Sequence, residues 1–285
     1  MFWETYSRWP RLTIKLGILG SGIWAFNVIT WLKERRLTYQ MRLNRMLRMP
    51  RVLLRKCGYD FVRYVEASSL ANARRLSAIQ DNQIDIVLDI GASEGCFGQK
   101  LRNSGYKGRI ISFEPLTDAY ETLLRVSGND QLWQTVNTAI GNYNGDALIN
   151  VSGRRTSSSI LQMLPSHVEA APESRYITKE QVQIRCLDSI LDDLSTRNNR
   201  IYIKIDVQGY ERSVLQGAAE MLKITSVVEV EVSMIPLYEG SILHAEMIKE
   251  LDNLGFYLIS WEDVFTDPQT GYVLQSDCIF ARDLK

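Results

Sequence analysis

The apolar positions fall into short runs separated by polar turns. Residues 84–90 read IDIVLDI, where Ile84, Ile86, Val87, Leu88 and Ile90 are nearly continuous. A run this short and apolar predicts a parallel strand buried on both faces, because a strand with one wet face alternates. Asp89 closes the run, Gly91 and Gly95 bracket a tight loop, and a helical pattern follows from Cys96 to about Ser104. Residues 109–113 (RIISF) predict a second strand that ends at Glu114 and is stopped by Pro115. A helix over Asp118–Val126 follows, with Thr117 as its N-cap. Trp133 to Ile140 reads as a third strand, Asn142 to Asp146 as a turn, and Ala147 to Ser152 as a short strand.

Residues 153–180 are polar and predict a long irregular loop, a length that in a compact domain is usually functional. Val182–Leu187 reads as a strand and Leu187–Leu194 as a helical turn. The stretch 201–211, IYIKIDVQGYE, then repeats the first pattern: an apolar strand, an acid (Asp206) at its end, and a glycine opening a helix. A strand at Val227–Val232, a helix at His244–Leu254 and strands at Phe256–Trp261 and Cys278–Arg282 complete the chain. This alternation predicts an α/β domain with a mostly parallel sheet. Ligands of such sheets sit beyond the carboxyl ends of the strands, so Asp89, Glu114 and Asp206 should converge on one cleft.

The first 50 residues form a separate hydrophobic and basic extension, with the catalytic domain expected over 51–285. The run 12–32 is apolar on all faces and holds 17 uncharged residues from Leu16 to Leu32. That is the short limit for a membrane span, so the segment is a candidate for spanning or lying on a membrane, or for packing as a helix on the domain or a partner. The basic cluster from Lys33 to Lys56 would favour an anionic cytoplasmic leaflet. Residues 34–80 read as mostly helical. Gly20, Gly22 and Ala25 mimic a dinucleotide fingerprint, but no second strand follows, and arginines stand where the ribose acid belongs.

Net charge is zero over 285 residues, yet residues 1–63 carry 13 Lys/Arg against three Asp/Glu, leaving the rest acidic. An acidic catalytic part does not track nucleic-acid phosphates. The four cysteines are far apart and form no metal-spaced cluster, which suits a reducing cytoplasmic compartment. Two histidines argue against a His-rich metal site; a carboxylate-only Mg²⁺ site stays open as an alternative, with no metal ligand assigned.

Glu114 lies 19 residues after Gly95, near the spacing at which a Rossmann-like fold places an acid on ribose hydroxyls. The loop reads G-x-x-x-G, not the G-x-G-x-x-G of dinucleotide enzymes. Asp89, this loop and Glu114 together resemble the S-adenosylmethionine (SAM) site of class I methyltransferases. LDIGASEGCFG, SFEP, the serine cluster with His167, LDSI, KIDVQGYERSVLQGA, EVSMIPLY and SDCIFAR, in that order over roughly 50–285, resemble the FkbM family of SAM-dependent methyltransferases. Many relatives have Glu where Gln208 stands here, so no charge-dependent role is carried over to that position.

The resemblance implies a seven-stranded, mostly parallel sheet with helices on both faces and an antiparallel last strand. It implies O-methylation, often of sugar hydroxyls in polysaccharides, glycolipids or related metabolites. Asp89, Gly91, Ala92, Ser93 and Gly95 would then surround the methionine end of SAM, Glu114 would bind the ribose, and Asn137 would lie near the adenine. Deprotonating a hydroxyl acceptor calls for a general base, for which His167 and Asp206 are the candidates. The alternatives are a non-sugar small-molecule acceptor, or a membrane-tethered module that binds SAM or a glycan without catalysis.

Overall fold

The computed structural model describes residues 67–190 and 199–282. The candidate membrane run and the basic cluster lie outside them, as does the end of the turn expected at Leu187–Leu194. All described residues belong to one unit, Val65–Lys285.

Helix α1 (Ala67–Asp81) precedes strand β1 (Ile86–Ile90), α2 (Cys96–Asn103), β2 (Arg109–Phe113), α3 (Thr117–Ser127) and β3 (Trp133–Val136). Then come β4 (Ala139–Ile140), β5 (Gly145–Ser152), α4 (Pro165–Ala170), β6 (Tyr176–Arg185) and β7 (Ile201–Ile205). Helices α5 (Glu211–Gln216) and α6 (Ala219–Ile224), strand β8 (Thr225–Ser233), helix α7 (His244–Asn253) and strands β9 (Tyr257–Thr266) and β10 (Val273–Ala281) finish the chain.

Seven strands form the main sheet in the order β3-β2-β1-β7-β8-β10-β9. β10 runs antiparallel to both of its neighbours, while the β3 to β8 ladders are all parallel. This is the class I methyltransferase fold. The continuous apolar runs are explained by burial on both faces. Ile86, Leu88 and Ile90 of β1 face a core shared with Val214, Met221 and Leu251 of α5, α6 and α7. Val87, with Ile110, Tyr202 and Ile279, faces Ile79, Phe97 and Leu123 of α1, α2 and α3.

Chain order reverses between β1 and β7, so their first loops diverge and leave a crevice at the carboxyl ends. A second sheet, β4-β6-β5, closes the front of that crevice. The sequence predicts one strand from Trp133 to Ile140. The chain instead breaks after Val136, and Ala139–Ile140 crosses to pair with Ile184–Arg185 of β6. β6 starts at Tyr176 inside the expected loop, because its exposed first half alternates too weakly to be read as a strand. Thr117 is the first helical residue of α3, not its cap, and both its N–H and its hydroxyl bond Glu180 of β6.

The α1 side of the sheet carries a buried ion pair. Arg75 Nε donates to Glu229 Oε2 at 2.7 Å, and Tyr202 donates its hydroxyl to the same carboxylate. With Glu229 1% exposed, this carboxylate cannot fall back on water if its partner is lost. Arg75→Met is therefore expected to lower stability by about 3–5 kcal/mol, read as a fall in Tm. Adding Glu229→Leu should restore part of the loss, since no unpaired charge then remains.

Candidate active site

The crevice is a cleft of about 760 Å³, open mouth included. Gly91, Ser93, Glu114 and Asp206 bound it at the strand ends. Phe113, Leu116, Ala119, Ala139, Ile149 and Ile160 make an apolar wall from the two sheets and α3. Arg155, Thr156, Ser158 and Ser159 close the far side.

The loop after β1 is shaped by packing. Gly91 sits at φ +80°, and a Cβ there would lie 1.9 Å from the carbonyl oxygen of Asp206. No other residue lets β1 and β7 approach so closely. The loop amides are engaged internally: Gly91 and Ala92 both donate to the Phe113 carbonyl at 3.0 Å, Gly95 donates to the Ala92 carbonyl, and Ser93 donates to Glu114 Oε2 at 2.8 Å. The loop is not a phosphate cradle, in which such N–H groups stay free for the ligand.

Glu114 is 6% exposed. Its two oxygens each accept one backbone N–H, from Ser93 at 2.8 Å and Leu116 at 2.9 Å, leaving lone pairs toward the cleft. Burial pushes its carboxyl up to about 7 despite those donors. A buried acid kept at the mouth of a cleft is a functional signature.

Asp206 ends β7. Its Oδ2 accepts from Lys204 Nζ at 3.1 Å and its Oδ1 from Gln208 Nε2 at 2.9 Å. Burial works against the Lys204 ammonium, but Asp206 and Asp89 outweigh it and push its pKa up. The next loop is held from three sides. Glu211 Oε1 accepts the N–H of Val207 and of Gly209, and Ser159 Oγ donates to the Gln208 carbonyl at 2.7 Å. The serine cluster is likewise structural: Ser158 Oγ accepts the Ser152 N–H and Ser157 Oγ meets Ser174 Oγ.

A second space of about 480 Å³ adjoins the cleft and shares Thr156, Asp206 and Gln208 with it. It is lined also by Arg154, His167, Glu231, Phe265 and Gln275. His167 lies on α4, 2% exposed, 5.1 Å from the Tyr238 ring and 5.3 Å from that of Phe265. Its Nδ1 is buried without a partner. Burial pushes the imidazole down to about 4, with Arg154 adding to the effect and Glu173 opposing it, so the ring is neutral near pH 7.

The structure thus brings Gly91, Ser93, Glu114 and Asp206 to the cleft, and His167 with Asp206 to the chamber. Of the other expected cofactor residues, Asp89, Ala92 and Gly95 lie buried behind the surface, and Asn137 is exposed but does not line the cleft. Asp89 is fully buried; its Oδ2 accepts from Ser112 at 3.1 Å, its Oδ1 has no hydrogen bond and lies 3.9 Å from Lys204 Nζ, and burial pushes it up to about 6. Ala92 packs in the α1–α3 core, and Gly95 turns the chain at φ +85° beneath Leu123. Asn137 Nδ2 ties down the carbonyls of Glu114 and Pro115 at 2.9 and 3.0 Å. Sequence reasoning passed over Lys204, Glu231 and Gln275. Lys204, a lone charge two residues before Asp206 in the apolar run IYIKI, was a visible signal, whereas Glu231 and Gln275 sit in ordinary alternating strands.

Residues 89–258 match the model of the methyltransferase FkbM domain. The chain belongs to the FkbM family. Family membership and fold together identify a SAM-dependent methyltransferase. A search of curated proteins finds no match. Among solved structures the FkbM chain is similar to magnesium protoporphyrin IX methyltransferase from Synechocystis, solved with bound SAM (9% identity, 79% of this chain and 88% of that chain, TM-score 0.39). It is also similar to precorrin-6y C5,15-methyltransferase from Geobacter metallireducens (13%, 75% and 88%, TM-score 0.39). A human methyltransferase 10 domain containing protein is a third (9%, 78% and 85%, TM-score 0.39). At that level these likenesses carry no argument about what the FkbM chain acts on. Among the described residues no helix is long and apolar enough to cross a membrane, and no group of three or more His, Cys, Asp or Glu could hold a metal ion.

Proposed function

We propose that the FkbM chain methylates a hydroxyl of a sugar, in a polysaccharide, glycolipid or related metabolite, with SAM held in the cleft and the acceptor in the chamber. The observation that carries this reading is that an apolar cleft and a polar chamber meet at one carboxylate, Asp206. The groups present fit the cofactor. The Glu114 carboxylate has lone pairs for a ribose diol, and the wall of Phe113, Leu116 and Ile149 suits a purine. The Asp206 carboxylate suits a neighbouring cation. Asp89, Ala92 and Gly95 act from behind by shaping the loops, and Asn137 holds the Glu114–Pro115 backbone from the exposed side. SAM supplies an electrophilic methyl group, and the protein contributes mainly the alignment of the acceptor oxygen.

The chamber supports a polyol acceptor. Carboxylates, amides and the His167 ring offer hydrogen-bond acceptors and donors, while Phe265 offers an apolar face for the C–H side of a sugar ring. Asp206, fixed by Lys204 and Gln208, orients the acceptor hydroxyl, and the neutral His167 accepts from another hydroxyl. The site sits in a cytoplasmic enzyme, and the segment 12–32 is its candidate contact with the cytoplasmic face of a membrane.

Glu114→Ala is expected to weaken SAM binding by about 1–3 kcal/mol in calorimetry, the usual loss when a buried hydrogen-bonding partner goes. Unchanged affinity in the folded variant contradicts the ribose assignment. His167→Ala is expected to leave SAM affinity unchanged and to raise the acceptor KM more than it lowers kcat, measured by methyl transfer from labelled SAM onto a panel of glycans. A change in SAM affinity alone places His167 on the wrong ligand.

A further inference from the structure

At the junction of cleft and chamber two carboxylates share one amide. Gln208 Nε2 donates to Asp206 Oδ1 at 2.9 Å and to Glu231 Oε2 at 2.8 Å. Its Oε1 meets the Tyr238 hydroxyl at 2.7 Å; the NH₂ end faces the acids because ionised carboxylates only accept, whereas a phenol can donate or accept. Gln275 Nε2 donates to the same Glu231 oxygen at 2.6 Å, and Glu231 Oε1 has no hydrogen bond. The acids are not equivalent. Asp206 is matched by the Lys204 ammonium at 3.1 Å, whereas Glu231 has no ion-pair partner among the described residues. Gln208 is what allows the arrangement, since a carboxylate at its position would face both acids.

We propose that Glu231 is the catalytic base, taking the proton of the acceptor hydroxyl in the chamber, and that the positive charge of the methyl donor in the adjoining cleft favours its ionised form. The proposal rests on the reading of the cleft as a SAM site. Three observations support it beyond the shared amide. Glu231 lines the chamber with a free oxygen. Burial, reinforced by Asp206, Asp277 and Glu211, pushes its carboxyl well above the ordinary range, and Lys204 offsets only part of this. The rivals are less free to take the proton: Lys204 and the Gln208 amide each occupy one oxygen of Asp206, and burial pushes the His167 imidazole down to about 4. A base works best when its proton affinity is matched to the operating pH.

The step balances. The acceptor oxygen forms its bond to the methyl carbon, the pair of the broken C–S bond remains on sulfur, and the O–H proton passes to Glu231. A sulfonium and a carboxylate become a thioether and a carboxylic acid. Before the step the sulfonium stabilises the Glu231 anion, and afterwards neither group is charged. The base is therefore ready only while the donor is bound.

The test is calorimetry of the full chain with SAM and, separately, with S-adenosylhomocysteine, near pH 7 in phosphate and in Tris, whose ionisation enthalpies differ. SAM should release more protons than its thioether product, and Glu231→Gln should bind both while losing the difference. Equal proton release in the wild type, or a difference that survives in Glu231→Gln, overturns the proposal and leaves the SAM reading standing. Binding of neither ligand overturns both. Should Glu231→Gln fail to fold, equal proton release for SAM and its product in the wild type still overturns the proposal. At low pH a protonated Glu231 must be ionised when the donor binds, and at high pH it already is. The preference for SAM over its product should therefore rise with pH and level off, by on the order of tenfold for charges separated by a few ångströms of protein. A flat preference overturns the proposal.

Discussion

A buried ammonium, Lys204, lies between two strand-end carboxylates, 3.1 Å from Asp206 and 3.9 Å from Asp89. An ionised carboxylate in an apolar interior is strongly disfavoured unless a charge or several donors meet it. β1 and β7 are adjacent, so the crevice between them puts both acids within one charge's reach. Without Lys204, the two acids would repel at the point where the cleft must be narrowest. With it, Asp206 stays exposed to the cleft while Asp89 is sealed beneath the loop. The position of Lys204 follows from register: it pairs with Asp89 on one side and Glu229 on the other, so the polar row crosses the sheet from β1 to β8.

The rest of the site is built outward from that row. Gly91 lets β1 and β7 close on each other, and Glu114 is pinned by the N–H groups of Ser93 and Leu116. The second sheet supplies Ala139 and Ile149 as the opposite wall, and the serine-bearing loop ties that wall to Gln208 through Ser159. Asp89, Ala92 and Gly95, which the resemblance places around the methionine end of SAM, are buried beneath the loop. They act by fixing the backbone on which the contacts sit, which explains why the loop motif is specific although few of its residues reach the cleft.

How legible this was depended on the periodicity of each element. β1, β2 and β7 are short, wholly buried runs, and their continuous apolar stretches gave both the strands and the acids at their ends. The helices α2, α3 and α7 were legible within a residue or two, because each buries one face. The second sheet was not, because β4 is two residues long and β6 has a mostly exposed first half with no apolar face to reveal it. Asp206 and His167 could be singled out as chemistry-bearing residues. Glu231 could not, since in VVEVEVS it reads as an ordinary alternating strand, and only the fold sets it opposite Asp277 and within hydrogen-bond reach of Gln208 and Gln275.

On the proposed function, the crevice beyond β1, β2 and β7 holds SAM. The most direct test is a crystal structure of the full chain with S-adenosylhomocysteine. The account predicts the ribose hydroxyls on the Glu114 carboxylate, the adenine against Leu116 and Ile149, and the sulfur on the side of Asp206. Ligand bound elsewhere on the domain, or in the cleft with its ribose away from Glu114, would contradict it.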